Sequence, residues 1–126
     1  MAVVDSFTVN CSIGGAPAVT STYTVSRLGS ADYSGSIPDT TGSAGQLVDM
    51  SFKHADVVDV YLVSSQNLTI NVNSDSAPVQ SISLTANIPV LINPFTADVT
   101  ALYLRNGSAT TAATVTLHVG LNSSVS

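Results

Sequence analysis

Two histidines, eight aspartates, one cysteine and many serines are the residues with which this chain could do chemistry. His54 stands just before Asp56 and Asp59, and His118 lies in an alternating run on the side of Thr116. A hydrolase would need one of these imidazoles beside an exposed serine held on a strained turn. No G-x-S-x-G segment occurs, and the serines fall at turns or at the polar positions of alternating runs. Zinc asks for three or four His, Cys or carboxylate ligands, whereas His54, His118 and Cys11 are spread over separate segments. Calcium has more to draw on, because Asp49, Asp56, Asp59 and Asp98 could converge, but a D-x-D-x-D-G loop is missing. Glycine-rich phosphate loops are missing too. The residues therefore point to no catalytic, cofactor or metal site, and to a protein that is not an enzyme.

Asp56 and Asp98 recur because the chain repeats itself. Ala55 to Leu62 reads A-D-V-V-D-V-Y-L and Ala97 to Leu104 reads A-D-V-T-A-L-Y-L, each preceded by a phenylalanine, Phe52 or Phe95. Each copy is followed by a polar turn and a second alternating run, Leu68 to Val72 or Val115 to Val119. Although Val99, Leu102 and Tyr103 would also suit a helix, the valines of the first copy favour strand, and both copies read as hairpins. The repeated Asp suits a carboxylate at a strand start that accepts a backbone hydrogen bond two residues on.

The composition bounds the class. Three basic residues, Arg27, Lys53 and Arg105, face eight Asp and no Glu, for a net charge of -5 over 126 residues. With Glu and Lys scarce and Val and Thr abundant, helices are disfavoured and an all-β domain is expected. Without a basic cluster, neither nucleic acid nor an anionic membrane is an expected partner, and no stretch is long and apolar enough to span a bilayer. Met1 runs straight into Val3 and Val4 without a basic n-region, so synthesis in a reducing cytosol is expected. Cys11, alternating with Phe7, Val9 and Ile13, reads as a small buried hydrophobe.

Alternation and turn residues divide the chain into eight or nine short strands. They run through Ser6 to Ile13, Ala18 to Leu28, Val48 to Phe52, the two repeat units with their returns, Val79 to Ala86, and Thr114 to Leu121. Pro89 confines Ile88 to Ile92 to an edge or a bulge. The expected architecture is one antiparallel β-sandwich over residues 1–126, of jelly-roll type because two Greek keys account for the doubled unit, with an immunoglobulin-like sandwich as the alternative.

Two features point to contacts. Gly29 to Gly45 holds four glycines and Pro38 but only Tyr33 and Ile37 as large apolar anchors, so it reads as a long flexible loop that orders on a partner. The second face of the repeat, with Val57, Tyr61 and Val63 in one copy and Val99, Ala101 and Tyr103 in the other, is too apolar to face water alone. The long loop, identical subunits or a ligand could cover it. Tyr33, Ile37, Tyr61 and Tyr103 are accordingly the candidate interface residues.

From Asn93-Pro94-Phe95-Thr96-Ala97-Asp98-Val99 to Arg105-Asn106, and on through Thr114 to Val119, the sequence resembles small jelly-roll virion proteins of tailed bacteriophages, above all capsid decoration or cement proteins. That resemblance implies a homotrimer on the outer capsid surface that ties major capsid subunits together, made in the host cytoplasm and located in the virion. It transfers no functional residue. The competing expectation is a carbohydrate- or receptor-binding sandwich of a phage tail or secreted protein, although the chain has no Trp and only Tyr23, Tyr33, Tyr61 and Tyr103 for stacking platforms.

Overall fold

The computed structural model describes residues 3–11, 19–42 and 44–122. In chain order its strands are β1 (Val3–Cys11), β2 (Val19–Arg27), β3 (Gly29–Ile37), β4 (Gln46–Val48), β5 (Val57–Ser64), β6 (Leu68–Val72), β7 (Gln80–Leu84), β8 (Leu102–Asn106) and β9 (Ala113–Leu121). All pairings are antiparallel. β1 and β2 pair with each other alone, from Val3 opposite Arg27 to Cys11 opposite Val19. The other seven form two sheets, ordered β3-β9-β5 and β4-β8-β6-β7.

At the free edge of β5, Leu62 and Val90 exchange backbone hydrogen bonds of 3.1 and 2.8 Å. Residues around Val90 thus stand where a fourth strand of that sheet would run, reduced to a single bridge, and Pro89, which has no N–H, turns its nitrogen away from β5 toward the open edge. Counting this segment, every connection from β3 onward changes sheet except β6 to β7. The sandwich is a jelly roll.

Its core lies between the two sheets and follows the alternation residue by residue. Val60 and Leu62 of β5 and Val115, Leu117, Val119 and Leu121 of β9 face Leu68, Ile70 and Val72 of β6, Ile82 and Leu84 of β7 and Leu102 and Leu104 of β8, all buried. Phe52 and Phe95 meet edge to face with ring centroids 4.9 Å apart, so the two phenylalanines that precede the repeats close one end of the core together. Val99 is part of that closure, buried and bridged to Phe52. It does not belong to an outward face, as the alternation implied.

The repeated unit is an arch between sheets and not a hairpin. β5 pairs with β9 and β6 with β8, so each unit starts in one sheet and returns in the other. Both runs of a unit carry apolar residues toward one core, and two runs joined by a short turn can do so from opposite sides only by crossing it. The two polar turns then bond to each other. Ser65 N–H donates to Thr114 O at 2.9 Å, and Gly107 N–H donates to Asn67 O at 2.7 Å. A Cβ at Gly107 would come within 2.8 Å of that same oxygen, which explains the glycine.

Gly29 to Gly45 is no flexible loop. Its first nine residues are β3, paired with β9 along its whole length from Gly29 opposite Leu121 to Ile37 opposite Ala113, and Asp39–Gly42 is a short 3-10 turn. Backbone pairing to β9 makes this strand where side-chain composition gave no signal. Ile37 is 0% exposed, locked in the core, and Tyr33 is half-buried against it, so neither is a free contact anchor. Replacing Ile37 with Ala should therefore lower stability by about 2–5 kcal/mol in urea unfolding. Unchanged stability would restore the reading of this segment as a free arm.

Candidate functional site

The polar groups that the fold gathers lie on the outer face of the β3-β9-β5 sheet, where the β1–β2 hairpin lands on it. Strand alternation turns His118 of β9 away from the core, between buried Leu117 and Val119. Its cross-strand neighbour on one side is Asp32 of β3 and on the other Tyr61 of β5. Asp59 sits opposite Gly120, next along β9. A register shift between Val57 and Asp59 sets this position, and it leaves Val58 exposed while Val57 packs on the core, the reverse of what plain alternation implies. From above, β1 contributes Asp5, and Arg27 at the end of β2 grips it, Nε to Oδ1 at 2.8 Å.

His118 is held between two carboxylates. Nδ1 meets Asp32 Oδ1 and Nε2 lies 2.9 Å from Asp5 Oδ2. Asp59 Oδ2 is 3.8 Å from the same Nε2. Asp59 is only 6% exposed, and among the described residues no donor reaches either of its carboxyl oxygens. The glycine beneath makes this possible, since a Cβ at Gly120 would overlap Asp59 Oδ1. Burial pushes the Asp59 carboxyl up to about 6, and a hydrogen bond to Asp5 with the repulsion of its charge adds to this. Because Asp59 lacks an outside donor, that hydrogen bond exists only while Asp59 keeps its own proton. Burial would also raise Asp5, but hydrogen bonds from Asp59, Arg27 and His118 hold it at about 2. His118 would be lowered by burial, yet Asp5 and Asp32 raise it above the ordinary imidazole value.

Beside the cluster lies a cleft of about 620 Å³. Phe7 of β1, Tyr61 of β5, Pro89 and Leu91 give it apolar walls, and Asp5 and His118 supply its polar groups. The second face of the first repeat copy is thus covered in part by the N-terminal hairpin. Tyr61 is a wall of this cleft, while Tyr103 lies half-buried on the far side of the sandwich beside exposed Leu47, its partner across β4 and β8. One contact surface cannot hold both.

The other polar residues singled out in the sequence are dispersed. Asp49, Asp56 and Asp98 do not join Asp59 among the described groups. Asp98 accepts from the His54 backbone N–H at 3.2 Å and from His54 Nδ1 at 2.8 Å, so it ties one repeat to the other and does not cap its own strand. Asp75 takes Arg105 in a two-pronged pair at 2.8 and 2.9 Å, and that guanidinium, with the Gly45 N–H, holds the carboxyl down at about 2. The side chain of Cys11 and the turn Gly14 to Pro17 lie outside the described residues. Sequence reasoning passed over Asp5, Arg27 and Asp32. Only Arg27 carried a signal, as a charge inside a run read as strand, whereas Asp5 stood just before the first run and Asp32 in the segment read as a loop.

Two outcomes follow from this geometry. Asp59 and His118 both have raised values in the folded protein, so the stability they confer is complete below their unfolded values and is lost as pH rises. Asp5, Asp32, Asp75 and Asp98, whose values are lowered, act in the opposite sense and have done so fully by about pH 5. With chelator present the melting temperature should therefore fall from there through about 6 and onward past the His118 titration, and Asp59→Asn should flatten the first part of that fall. Second, Gly120→Ala should destabilise by about 1–3 kcal/mol through overpacking, and Asp59→Ala should restore most of the loss in the double variant. An additive double variant in urea unfolding would show that the two residues do not compete for space.

Comparison with protein-family models, with curated proteins and with solved structures found no match, so the geometry above carries the functional reading.

Proposed function

We propose that the chain is a non-enzymatic structural protein of a virion, a capsid decoration protein that assembles as a homotrimer and binds the major capsid protein. The observation that carries this reading is the β1–β2 hairpin. Nine antiparallel residue pairs extend it to about 30 Å, and its Asp5 and Arg27 end is bonded to the sandwich through His118. A two-stranded ribbon gains little stability by itself in water. A long ribbon fixed at its base is suited to reach a neighbouring subunit.

Exposed apolar residues cluster at that base. Val3, 44% exposed, and Val4, 59%, start β1. Leu28, 46%, follows β2 and donates its N–H to Leu121 O, and Val58 lies next to Val57, which pairs with that same Leu121. A low-charge surface with an apolar centre of this kind suits contact between copies. It replaces Tyr33 and Ile37 as the place to look for the interface.

A second reading, a carbohydrate-binding module, draws on the cleft, where Phe7 and Tyr61 offer ring faces beside Asp5 and His118.

Light scattering at micromolar concentration should give the mass of a trimer. Val4→Asp with Leu28→Asp should shift it to monomer with little change in melting temperature. Virions whose genome carries the sequence should contain the polypeptide in copy numbers matched to the capsid lattice. A monomeric chain absent from such virions, together with a saturable signal on a glycan array, would replace the first reading with the second.

A further inference from the structure

We propose that Asp5, Asp59 and His118 form a binding site for a divalent cation of the zinc or manganese class, and that the bound cation clamps the N-terminal hairpin to the sandwich. The three side chains come from β1, β5 and β9, and one ligand atom from each lies within 4.8 Å of the others. Zinc–ligand bonds of about 2.0–2.2 Å place tetrahedral ligand atoms roughly 3.4 Å apart, so His118 Nε2 and Asp5 Oδ2, now 2.9 Å apart, separate slightly and Asp59 Oδ2, now 3.8 Å from Nε2, draws in. Asp5 stands on a hairpin strand outside the sandwich sheets, so its side chain has a direction in which to move.

An acidic cluster alone would show little, but Asp59 adds an independent observation. Its side chain is 4% exposed, and its two oxygens have no donor among the described residues. A buried carboxylate without a partner costs several kcal/mol, which is why such groups are normally paired or bound to metal. The chain also keeps Gly120 beneath it, where any side chain would overlap Asp59 Oδ1. The space is reserved for a carboxylate that, once ionised, has no donor among the described residues.

The surroundings are those of a ligand set. Asp32 Oδ1 accepts from His118 Nδ1, so that once a cation displaces the proton Nε2 holds toward Asp5, the Nε2 lone pair faces Asp5 and Asp59. A carboxylate behind a histidine in this way fixes the tautomer of metal-binding imidazoles and raises their basicity. Arg27 occupies Asp5 Oδ1, and Oδ2, bonded to His118 Nε2 in the metal-free protein, can ligate when the proton between them leaves. With all three carboxylates ionised, one guanidinium leaves the cluster two negative charges in excess, and one dication neutralises it. Two carboxylate oxygens with one imidazole nitrogen match zinc or manganese better than calcium or magnesium, which take oxygen ligands alone. The cleft that opens at Asp5 and His118 admits water to the remaining coordination positions. Binding displaces to solvent the proton that His118 Nε2 holds toward Asp5 Oδ2.

The test uses the full chain stripped with chelator, titrated calorimetrically at pH 7.5 with ZnCl₂ and separately with MnCl₂. Expected are one site per chain, a rise in melting temperature that excess chelator reverses, and proton release visible as a dependence of the heat on the buffer. Asp59→Asn and His118→Gln should abolish saturable binding, and Asp32→Asn should weaken it by about 10–100-fold. Asp49→Asn, on the exposed stretch before Met50, should leave binding unchanged. Asp59→Asn removes a buried charge and should stay folded without metal, so its loss of binding cannot be put down to unfolding. Absence of saturable binding of both cations up to about 100 μM, or binding that survives Asp59→Asn, would overturn the proposal. In either case Asp5, Asp32 and His118 remain a metal-free ion-pair clamp.

Discussion

Strand β9 is the constraint on which the rest of the molecule depends. Its inward residues Val115, Leu117, Val119 and Leu121 are all essentially inaccessible, and a strand buried along one face needs partners for its backbone at both edges. β3 supplies nine residue pairs on one side and β5 the other edge, with one bulge. This requirement turns a glycine- and serine-rich segment into a strand. Hydrogen bonding to β9 outweighs the weak β-propensity of Gly29 to Ser36, and burial of Ile37 at the far end fixes the register.

The same strand organises the polar site. With its even positions committed to the outer face, His118 is set between Asp32 and Tyr61 by register alone, and Gly120 opens the space that Asp59 occupies. Burying Asp59 without a donor is costly, and the bulge that aims it there interrupts the ladder. Evolved sheets hold such bulges where a side chain must be re-aimed. The hairpin arrives from above through Asp5, itself steered by Arg27, so one cluster joins all three strands of this sheet to the N-terminal ribbon.

The opposite sheet solves a different problem. The two arches stack turn on turn, with Asn67 and Ser65 bonded to Gly107 and Thr114, and Asn106 donates to Ile37 O and Thr111 O beneath them. At the other end Asn73, in the left-handed region at φ 69°, serves the backbone of the second repeat through Asp98, Thr100 and Ala101. The polar side chains are thus largely spent on satisfying the backbone where the chain crosses between sheets. That accounts for the wealth of Asn and Ser in a chain with so few charges.

The sequence by itself determined the all-β class, the positions of most strands, the core residues of β6 to β9 with Val60 and Leu62 of β5, and the edge role of the segment around Pro89. These follow from the period-2 alternation of side chains, a local property of an extended backbone. Tertiary structure alone decided what pairs with what. The apolar pattern of β5 and β6 is the same in a hairpin as in an arch, and only the presence of β9 and β8 selects the arch. β3 carries almost no pattern of its own and is made by its neighbour. Asp5, Asp59 and His118, far apart in the chain, meet because their strands converge at one end of one sheet, and a spacing along the sequence cannot encode a proximity set by a register shift at Val57 and a glycine at position 120.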